Sequence, residues 1–482
     1  LACIYATHED MGMCFADIST GVVYATDTEE WVDVYNELAR FSPREILAGG
    51  FAISFDEFRS FITERLEEAL VEPMEEECFD AEAAGERIRK YFHIEDFDGA
   101  GLRVMPFAAR TLGGLLDYLE KTQPASLAGL NDLRLYQQGQ YMELDMNARR
   151  NLELCETMRT KEKKGTLLWV LDQTHTAMGS RLIRQWIEKP LYNPLHITRR
   201  QQAVIALCDD VMGRTALTDA LRKVFDMERL IGRIVYGTAN CRDLRALASA
   251  ISCLPEIHAH ASAFEQSLLR ELTGNIDLLE DVRELIEAAI VEEPPVLLRD
   301  GGLIRSGYNE EIDTLRDLAS GGKGKIAAIE QQEREKTGIS KLKIGYNRVF
   351  GYYIEVSRSN SDAVPENYIR KQTLANCERY ITDELKQLES TVLGAQERLS
   401  GLEYDVFIQV RDRVAAEVHR VQRSAQAVAQ IDVLCSLADV ACDQNYICPI
   451  VDFSDKIEIH DGRHPVVEKM LKDSMFIPND TL

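Results

Sequence analysis

The chain contains 482 residues, of which 45% are hydrophobic, and it carries a formal net charge of −25. This length suffices for about three domains with separate cores, and the lack of an uninterrupted apolar run of about 18 residues argues against a membrane-spanning segment. Eleven cysteines without a C-x-x-C pair argue against a disulfide framework or a zinc site and predict a reducing compartment, the cytoplasm.

The negative charge is concentrated in the first 98 residues. They hold 24 Asp or Glu against 7 Lys or Arg, a net charge of −17. An acidic chain is normally a poor candidate for binding nucleic acid, but here most of the acidity lies in one block. Because the chain begins at Leu1 inside a strand pattern and stops at FIPNDTL, we expect an internal piece of a longer protein.

The N-terminal block alternates strand and helix patterns. The order β-β-β-α-β suggests an α/β domain of ribonuclease-H-like type that ends between Met105 and Leu119. Asp17 stands on the second strand, where nucleases of that type hold a metal ion. No carboxylates occupy matching strand ends, so an exposed acid before a turn is the favoured interpretation. The predicted segments are strands Ala2–Thr7, Met13–Ser19, Val22–Thr26 and Glu45–Ala48 and helix Glu29–Phe41.

Residues 110–318 have almost wholly helical spacing. Gly165–Trp186 contains two candidate N-caps, Thr174 and Thr176. His258 and His260 resemble a metal-binding pair, but alternate residues of a helix point away from each other, so we expect no metal there. Further helices are predicted at Arg214–Leu221, Met227–Ile234, Cys241–Ile251 and Phe264–Ile290, the last interrupted near Gly274.

A short basic region rich in β-branched and aromatic residues interrupts the helices. Ile344–Ser357 predicts a strand–turn–strand unit, and residues 338–379 contain seven Lys or Arg against four acids. Beyond it, apolar residues from Ile381 to Val406 recur every 3.5 residues. A helix from Glu378 to Val421 would be about 66 Å long and should run antiparallel to the helix before the basic region. The pattern predicts a basic β tip on a helical lever, in contact with an anionic partner.

Six segments, in this order, resemble the MutS family of DNA mismatch repair proteins: GTLLWVLDQTHTAMGSRLIRQWIEKPL (165–191), FDMERLIGRI (225–234), IRSGYNEEID (304–313), GYNRVFGYYIEVSR (345–358), RKQTLANCERYITDELK (370–386) and DGRHPVVE (461–468). The last follows a predicted strand at Ile457–Ile459. The resemblance covers essentially the whole chain and implies a multidomain, mainly α protein with an α/β part. It assigns 1–118 to a ribonuclease-H-like connector, 119–317 and 378–441 to a helical core and lever, 318–377 to a small β DNA clamp at the lever tip, and 442–482 to the start of an ATPase domain.

Two parts of the family proteins are not found in this sequence. The mismatch-reading domain carries a Phe-x-Glu wedge, and Phe55-Asp-Glu57 matches it only inside the connector, which we interpret as coincidence. No G-x-x-x-x-G-K-[ST] loop occurs, since Gly321–Gly324 lacks a preceding strand and a following Ser or Thr. We therefore expect the phosphate-binding loop beyond Leu482 and no ATP turnover by this chain alone, and we assign neither catalytic residues nor metal ligands.

The basic region predicts contacts with the phosphates of duplex DNA. Lys and Arg neutralise phosphates, and Ser and Asn position the backbone without reading bases. A solvated hairpin face is the alternative for any one of them. Tyr352 and Tyr353 point to opposite faces of a strand, so neither is assigned as a stacking residue. The candidates are Lys341, Lys343, Arg348, Arg358, Arg370 and Lys371, with Asn347, Ser357 and Ser359 as neutral donors.

The resemblance also implies partners. Phe476 and Ile477 would lie beside the adenine of a bound nucleotide, whereas Arg463 and His464 are interpreted as structural. The full-length protein would bind mismatched duplex DNA, use ATP or ADP with Mg²⁺, form a homodimer and engage a MutL-type partner, and no membrane partner is expected. This chain alone would hold no nucleotide tightly. Two rivals remain: a mechanical coiled-coil protein with a dimerising β tip, which needs an apolar tip, and a nuclease built on Asp17.

Overall fold

The computed structural model describes residues 1–130, 132–136, 141–347, 351–471 and 476–481. They form two compact units. Unit 1 contains Leu1–Ala239, Ala246–Arg283 and Arg411–Leu482, and unit 2 contains Asn240–Arg245 and Glu284–Val410. Both helical and α/β structure are present, as the sequence predicts.

Unit 1 begins with an α/β part. Its elements are β1 Ala2–Ala6, β2 Met11–Asp17, β3 Val22–Thr28, α1 Trp31–Phe41, β4 Glu45–Gly50, α2 Asp56–Arg65, β5 Leu70–Met74, α3 Ala81–Phe92, α4 Pro106–Thr122, α5 Pro124–Leu127, β6 Asp132–Leu135 and α6 Met146–Asn151. The sheet order is β5-β4-β1-β2-β3-β6. The first three strands are antiparallel, whereas β4 is parallel to β1, β5 to β4, and β6 to β3. The predicted order β-β-β-α-β is confirmed.

Helices cover both faces of this sheet. Val34 and Phe58 pack in one buried cluster with Ile4, while Leu112 packs on the other face with Cys3. Because β1 is buried on both sides, its sequence is apolar throughout instead of alternating. Helix α4 passes so close to β2 that a Cβ atom at Gly12 would lie 2.2 Å from the carbonyl oxygen of Phe107.

A helical region follows. Its elements are α7 Leu167–Leu171, α8 Ala177–Glu188, α9 Pro194–Asp209, α10 Val211–Leu221, α11 Met227–Val235, α12 Cys241–Ile251, α13 Leu254–Ser262, α14 Ser267–Gly274 and α15 Glu280–Ala289. Thr176 is the N-cap of α8 and accepts a hydrogen bond of 2.9 Å from the Gly179 amide. Of the two candidate caps, Thr176 is therefore confirmed, and Thr174 instead donates to the Asp172 carboxylate.

Unit 2 contains two long helices and a small sheet. Its elements are α16 Glu310–Thr337, β7 Lys343–Asn347, β8 Gly351–Ser357, β9 Ile369–Thr373, β10 Cys377–Ile381 and α17 Asp383–Ala415 as far as Val410. The helices run antiparallel, as predicted, because Arg316 pairs with Glu403 (2.9 Å) while Ile329 shares a core with Leu385. The apolar repeat lies on the buried side of α17, where Leu385, Val392, Ala395 and Val406 are buried.

The predicted helix from Glu378 to Val421 is wrong at both ends. Glu378 lies in β10. Glu378 and Tyr380 are buried while Arg379 between them faces outward, which is the two-residue alternation of a strand. The helix ends at Ala415, and a second helix begins at Val418. Two helices therefore replace one.

The remaining elements are α18 Val418–Asp443, β11 Ile459–Gly462, α19 Pro465–Met470 and β12 Asn479–Thr481. The strand predicted at Ile457–Ile459 thus begins at Ile459 and pairs with β12. By length and composition α18 could cross a membrane, although polar residues interrupt it, and 67% of its most apolar window is buried inside the protein. It packs against α8 and α9, and we interpret it as a core helix.

Candidate nucleic-acid interface

The sheet of unit 2 has one apolar face. Its strand order is β7-β8-β10-β9, and neighbouring strands are antiparallel. Tyr352 packs against the apolar cluster, while Tyr353 points to the outer face, as the strand alternation predicts. The buried cluster includes Ile329, Ile354, Val356, Tyr380 and Leu385. The opposite face and the two edge strands, β7 and β9, are therefore the surfaces left for a partner.

A cross-strand row runs over the outer face. In the strand register Lys343 stands opposite Glu355, Glu355 opposite Arg379, and Arg379 opposite Gln372. The four side chains therefore share this face. Arg379 donates to the Glu355 carboxylate (3.2 Å) and to the Gln372 amide oxygen (3.0 Å). Its guanidinium lies 4.3 Å above the ring of Tyr353. The charge of Arg379 is thus compensated inside the sheet.

Three lysines are left without such compensation. The side chains of Lys341, Lys343 and Lys371 are exposed, and they make no hydrogen bond or ion pair with any other residue that the structure describes. Lys341 and Lys343 lie at the β7 edge. Lys371 lies at the β9 edge, where the register shifts by one residue and leaves it opposite no partner. Both edges of the sheet therefore present a lysine to solvent.

The two arginines are tethered to the sheet. Arg370 pairs with Glu378 at 3.3 Å, yet 62% of its side chain remains exposed. The Tyr380 hydroxyl, helped by Arg370, lowers the pKa of Glu378, so this carboxylate stays ionised. Arg358 is exposed and donates from Nη1 to the carbonyl oxygen of Ala375 at 3.4 Å. Each guanidinium keeps further donors for an external anion.

The predicted neutral donors divide between the two ends of the sheet. The hydroxyls of Ser357 and Ser359 lie 3.2 Å apart where β8 ends. Asn347 pairs with Gly351 at the opposite end, and Arg348 lies outside the described residues. The strand register places Lys341, Lys343, Ser357, Arg358 and Ser359 towards the end at which β8 stops. Lys371 lies at the register shift of β9, and Arg370 stands opposite Tyr380, level with Ile354 in the middle of β8 and on the apolar face.

Two neutral side chains towards the end of the sheet at which β8 stops are not among the donors predicted from the sequence. Gln372 belongs to the outer row, and Asn376 is exposed in the turn between β9 and β10, where its carbonyl oxygen accepts a 3.2 Å hydrogen bond from the Arg358 amide. The available signal was the sequence Leu374-Ala-Asn376 between two strand patterns, which is typical of a turn.

The predicted nucleotide segment lies in unit 1. Phe476 is half-buried and Ile477 is 79% exposed, immediately before β12. Arg463 donates to the carbonyl oxygens of Gln444 and Asn445, both at 2.9 Å, at the end of α18. His464 caps α19 through Nδ1. Arg463 and His464 therefore have structural contacts, as interpreted from the sequence.

Asp17 has a local role in the described structure. Its carboxylate accepts hydrogen bonds from the Ser19 amide (2.9 Å) and hydroxyl (2.6 Å) in the turn after β2. No group of three or more His, Cys, Asp or Glu that could hold a metal ion is found among the described residues. This geometry supports the interpretation of Asp17 as a turn residue.

Comparisons with known proteins agree over both halves of the chain. A family model described as MutS domain II matches residues 1–131, and one described as MutS domain III matches residues 147–438. The chain is 44% identical to a DNA mismatch repair protein MutS of Alkaliphilus oremlandii and 45% identical to one of Ruminiclostridium cellulolyticum. Each alignment covers 100% of this chain and 55% of the relative, so the chain spans about half the length of these relatives. The chain belongs to the MutS family of DNA mismatch repair proteins.

Proposed function

We propose that this chain is the part of a MutS-type DNA mismatch repair protein that grips duplex DNA through its phosphates and links mismatch binding to an ATPase domain. The observation that carries the proposal is the placement of uncompensated lysines at both edges of one small sheet. Lys343 and Lys371 stand on β7 and β9, three inter-strand spacings or about 14 Å apart. This separation is close to the width of the DNA major groove, about 12 Å, so the two lysines can contact phosphates on both of its sides.

The grip is expected to be independent of sequence. The middle of the outer face is occupied by Arg379, which is engaged with Glu355 and Gln372. A side chain held in this way is not free to reach a base edge. Lysines and serines at the rim contact phosphates, which position a protein on DNA but carry no sequence information directly.

The same proposal assigns the other parts of the chain. Residues 1–118 are a connector of ribonuclease-H-like type, supported by the order β3-β2-β1-β4-β5 with three antiparallel strands followed by two parallel ones. Residues 119–317 and 378–441 are core and lever, 318–377 the clamp, and 442–482 the start of the ATPase domain. The full-length protein would use ATP or ADP with Mg²⁺, the nucleotide lying beside Phe476 and Ile477. It would act in the cytoplasm as a homodimer with a MutL-type partner.

A mechanical coiled-coil protein with a dimerising tip is less well supported. Dimerisation requires a contiguous apolar surface. The exposed large apolar side chains of the described sheet are Tyr346 on β7 and Ile369 on β9, which stand on opposite edges. The exposed lysines on the same two edges favour an anionic partner.

The test compares two double variants in the full-length protein. Lys343→Gln with Lys371→Gln removes two phosphate contacts. The negative slope of log affinity against log salt should therefore become shallower by about 1.8. Lys164→Gln with Arg299→Gln makes the same charge change at exposed positions outside the sheet and is the matched control. Arg370 is left unchanged, since its loss would remove the ion-pair partner of Glu378.

Fluorescence anisotropy with matched and mismatched duplexes at several salt concentrations supplies the slopes. Affinity should fall equally for both duplexes, and the preference for the mismatch should persist. If the sheet variant keeps the normal slope, or if the control variant loses as much, the sheet is not a phosphate clamp.

A further inference from the structure

Two cysteines that are distant in sequence are neighbours at the ends of two packed helices in unit 1. Cys208 lies near the end of α9 and Cys442 near the end of α18. The Cys208 thiol lies 3.7 Å from the carbonyl oxygen of Ala438. In an α-helix this oxygen accepts from the amide four residues later, which is that of Cys442. The two sulfur atoms therefore lie on the same side of α18, one turn apart or less.

A buried guanidinium lies against the same pair. Arg214 Nη1 is 3.5 Å from the Cys442 sulfur and 3.5 Å from the Cys208 carbonyl oxygen. Its Nε donates to Asp439 at 2.7 Å, and its side chain is only 7% exposed. Arg214 is thus held in place, with a positive charge beside the position where a thiolate at Cys442 would form.

The two thiols differ in a way that suits sequential chemistry. Cys442 is exposed, whereas Cys208 is half-buried. Burial raises the pKa of Cys208 to about 11, and a hydrogen bond with the Cys442 side chain adds to the shift. Cys442 is accordingly the thiol that a solute reaches first, and Cys208 is a protonated neighbour behind it.

We propose that Cys208 and Cys442 form a dithiol modification site that a peroxide converts reversibly into a disulfide. The Cys442 thiolate attacks one peroxide oxygen, a sulfur–oxygen bond forms, the oxygen–oxygen bond breaks, and hydroxide leaves while sulfur is oxidised to a sulfenic acid. Cys208 then attacks that sulfur, a sulfur–sulfur bond forms, the sulfur–oxygen bond breaks, and the Cys208 proton leaves with the departing hydroxide as water. One peroxide and two thiols yield one disulfide and two waters.

The chain contains its own control for accessibility. Cys3 and Cys14 face each other across β1 and β2 and are both fully buried. They are neighbours as well, but a peroxide cannot reach them in the folded chain. A third thiol, Cys448, is exposed and lies with Cys208 on the wall of a cavity of about 590 Å³, so it is the rival partner.

The experiment treats the reduced 482-residue chain with hydrogen peroxide, blocks the remaining thiols with N-ethylmaleimide in denaturant and maps the peptides by mass spectrometry. The expected result is loss of two of the eleven thiols and a Cys208–Cys442 cross-link that dithiothreitol reverses. Circular dichroism before and after treatment checks that the chain remains folded.

Variants separate the two roles. Cys442→Ser, a change at an exposed position, should protect Cys208 from oxidation. Cys208→Ala should leave Cys442 as a sulfenic acid that dimedone traps, while Cys448→Ser should still form the cross-link. A cross-link to Cys448 in the unaltered chain, oxidation of Cys442 without any cross-link, or equal reaction of Cys3 and Cys14 would each overturn the proposal.

Discussion

The buried carboxylate of Asp432 provides the sharpest test of how the helical core is held together. Asp432 is fully buried in the middle of α18. It accepts hydrogen bonds from the amides of His175 (3.0 Å) and Thr176 (2.8 Å) and from the Thr176 hydroxyl (2.6 Å). Burial raises the pKa of this carboxyl, and the hydrogen bonds oppose the shift. One side chain thus fastens the start of α8 to α18.

Removing this carboxylate should destabilise the core strongly. Asp432→Ala leaves the Thr176 amide, the Thr176 hydroxyl and the His175 amide without this acceptor, and each buried donor left unsatisfied costs about 1–3 kcal/mol. We expect the free energy of opening the contact between α8 and α18 to fall by about 3–5 kcal/mol. Asp432→Asn keeps one acceptor oxygen but turns an amide towards the donors, so we expect a loss of about 2–3 kcal/mol.

Local hydrogen exchange is the appropriate assay, because a multidomain chain does not unfold in a single step. Peptides from residues 175–188 should exchange faster in both variants, and urea unfolding should shift to lower concentrations. Asp443→Asn, an exposed change near the end of the same helix, should alter neither. A loss below about 1 kcal/mol for Asp432→Ala, with normal exchange in α8, would refute the role of this contact.

Two further predictions concern the N-terminal α/β part. Asp27 accepts hydrogen bonds from the amides of Phe107 and Ala108 at the start of α4, and burial raises its pKa from 3.8 to about 6. Because the folded state holds this proton more tightly than the unfolded state, stability should fall as pH rises from about 4 to 6, by about 1–2 kcal/mol once solvent screening of this half-buried group is allowed for. Thermal unfolding of Asp27→Asn should lack this part of the pH dependence, and an unchanged profile would contradict it. Gly12→Ala should lower the free energy of unfolding by about 1–3 kcal/mol or more, because its methyl group would strike the Phe107 carbonyl oxygen. The control Gly274→Ala, whose methyl group would meet no atom within 4 Å, should leave stability unchanged. Equal melting temperatures for the two variants would refute the close approach.

The sequence by itself determined where most elements lie and which surface of each is buried. Periodicity alone placed Cys241–Ile251 at the observed bounds and located the first four strands within a few residues. It also identified the basic sheet between two antiparallel helices, because the spacing of apolar residues is a local property that each segment carries in its own composition. Specific motifs in a specific order indicated the family.

Only the tertiary structure decided which residues meet. The strand pairing of β8 and β10 brings Glu355 to Arg379 and compensates that charge, so a count of seven basic residues overstated the positive charge that the sheet leaves uncompensated. The register also placed Glu378 in a strand instead of the long helix. Asp432 and Thr176 stand 256 residues apart in the chain. Their contact depends on how helices dock, and a local pattern cannot encode it, because the same buried stripe can pack against many partners.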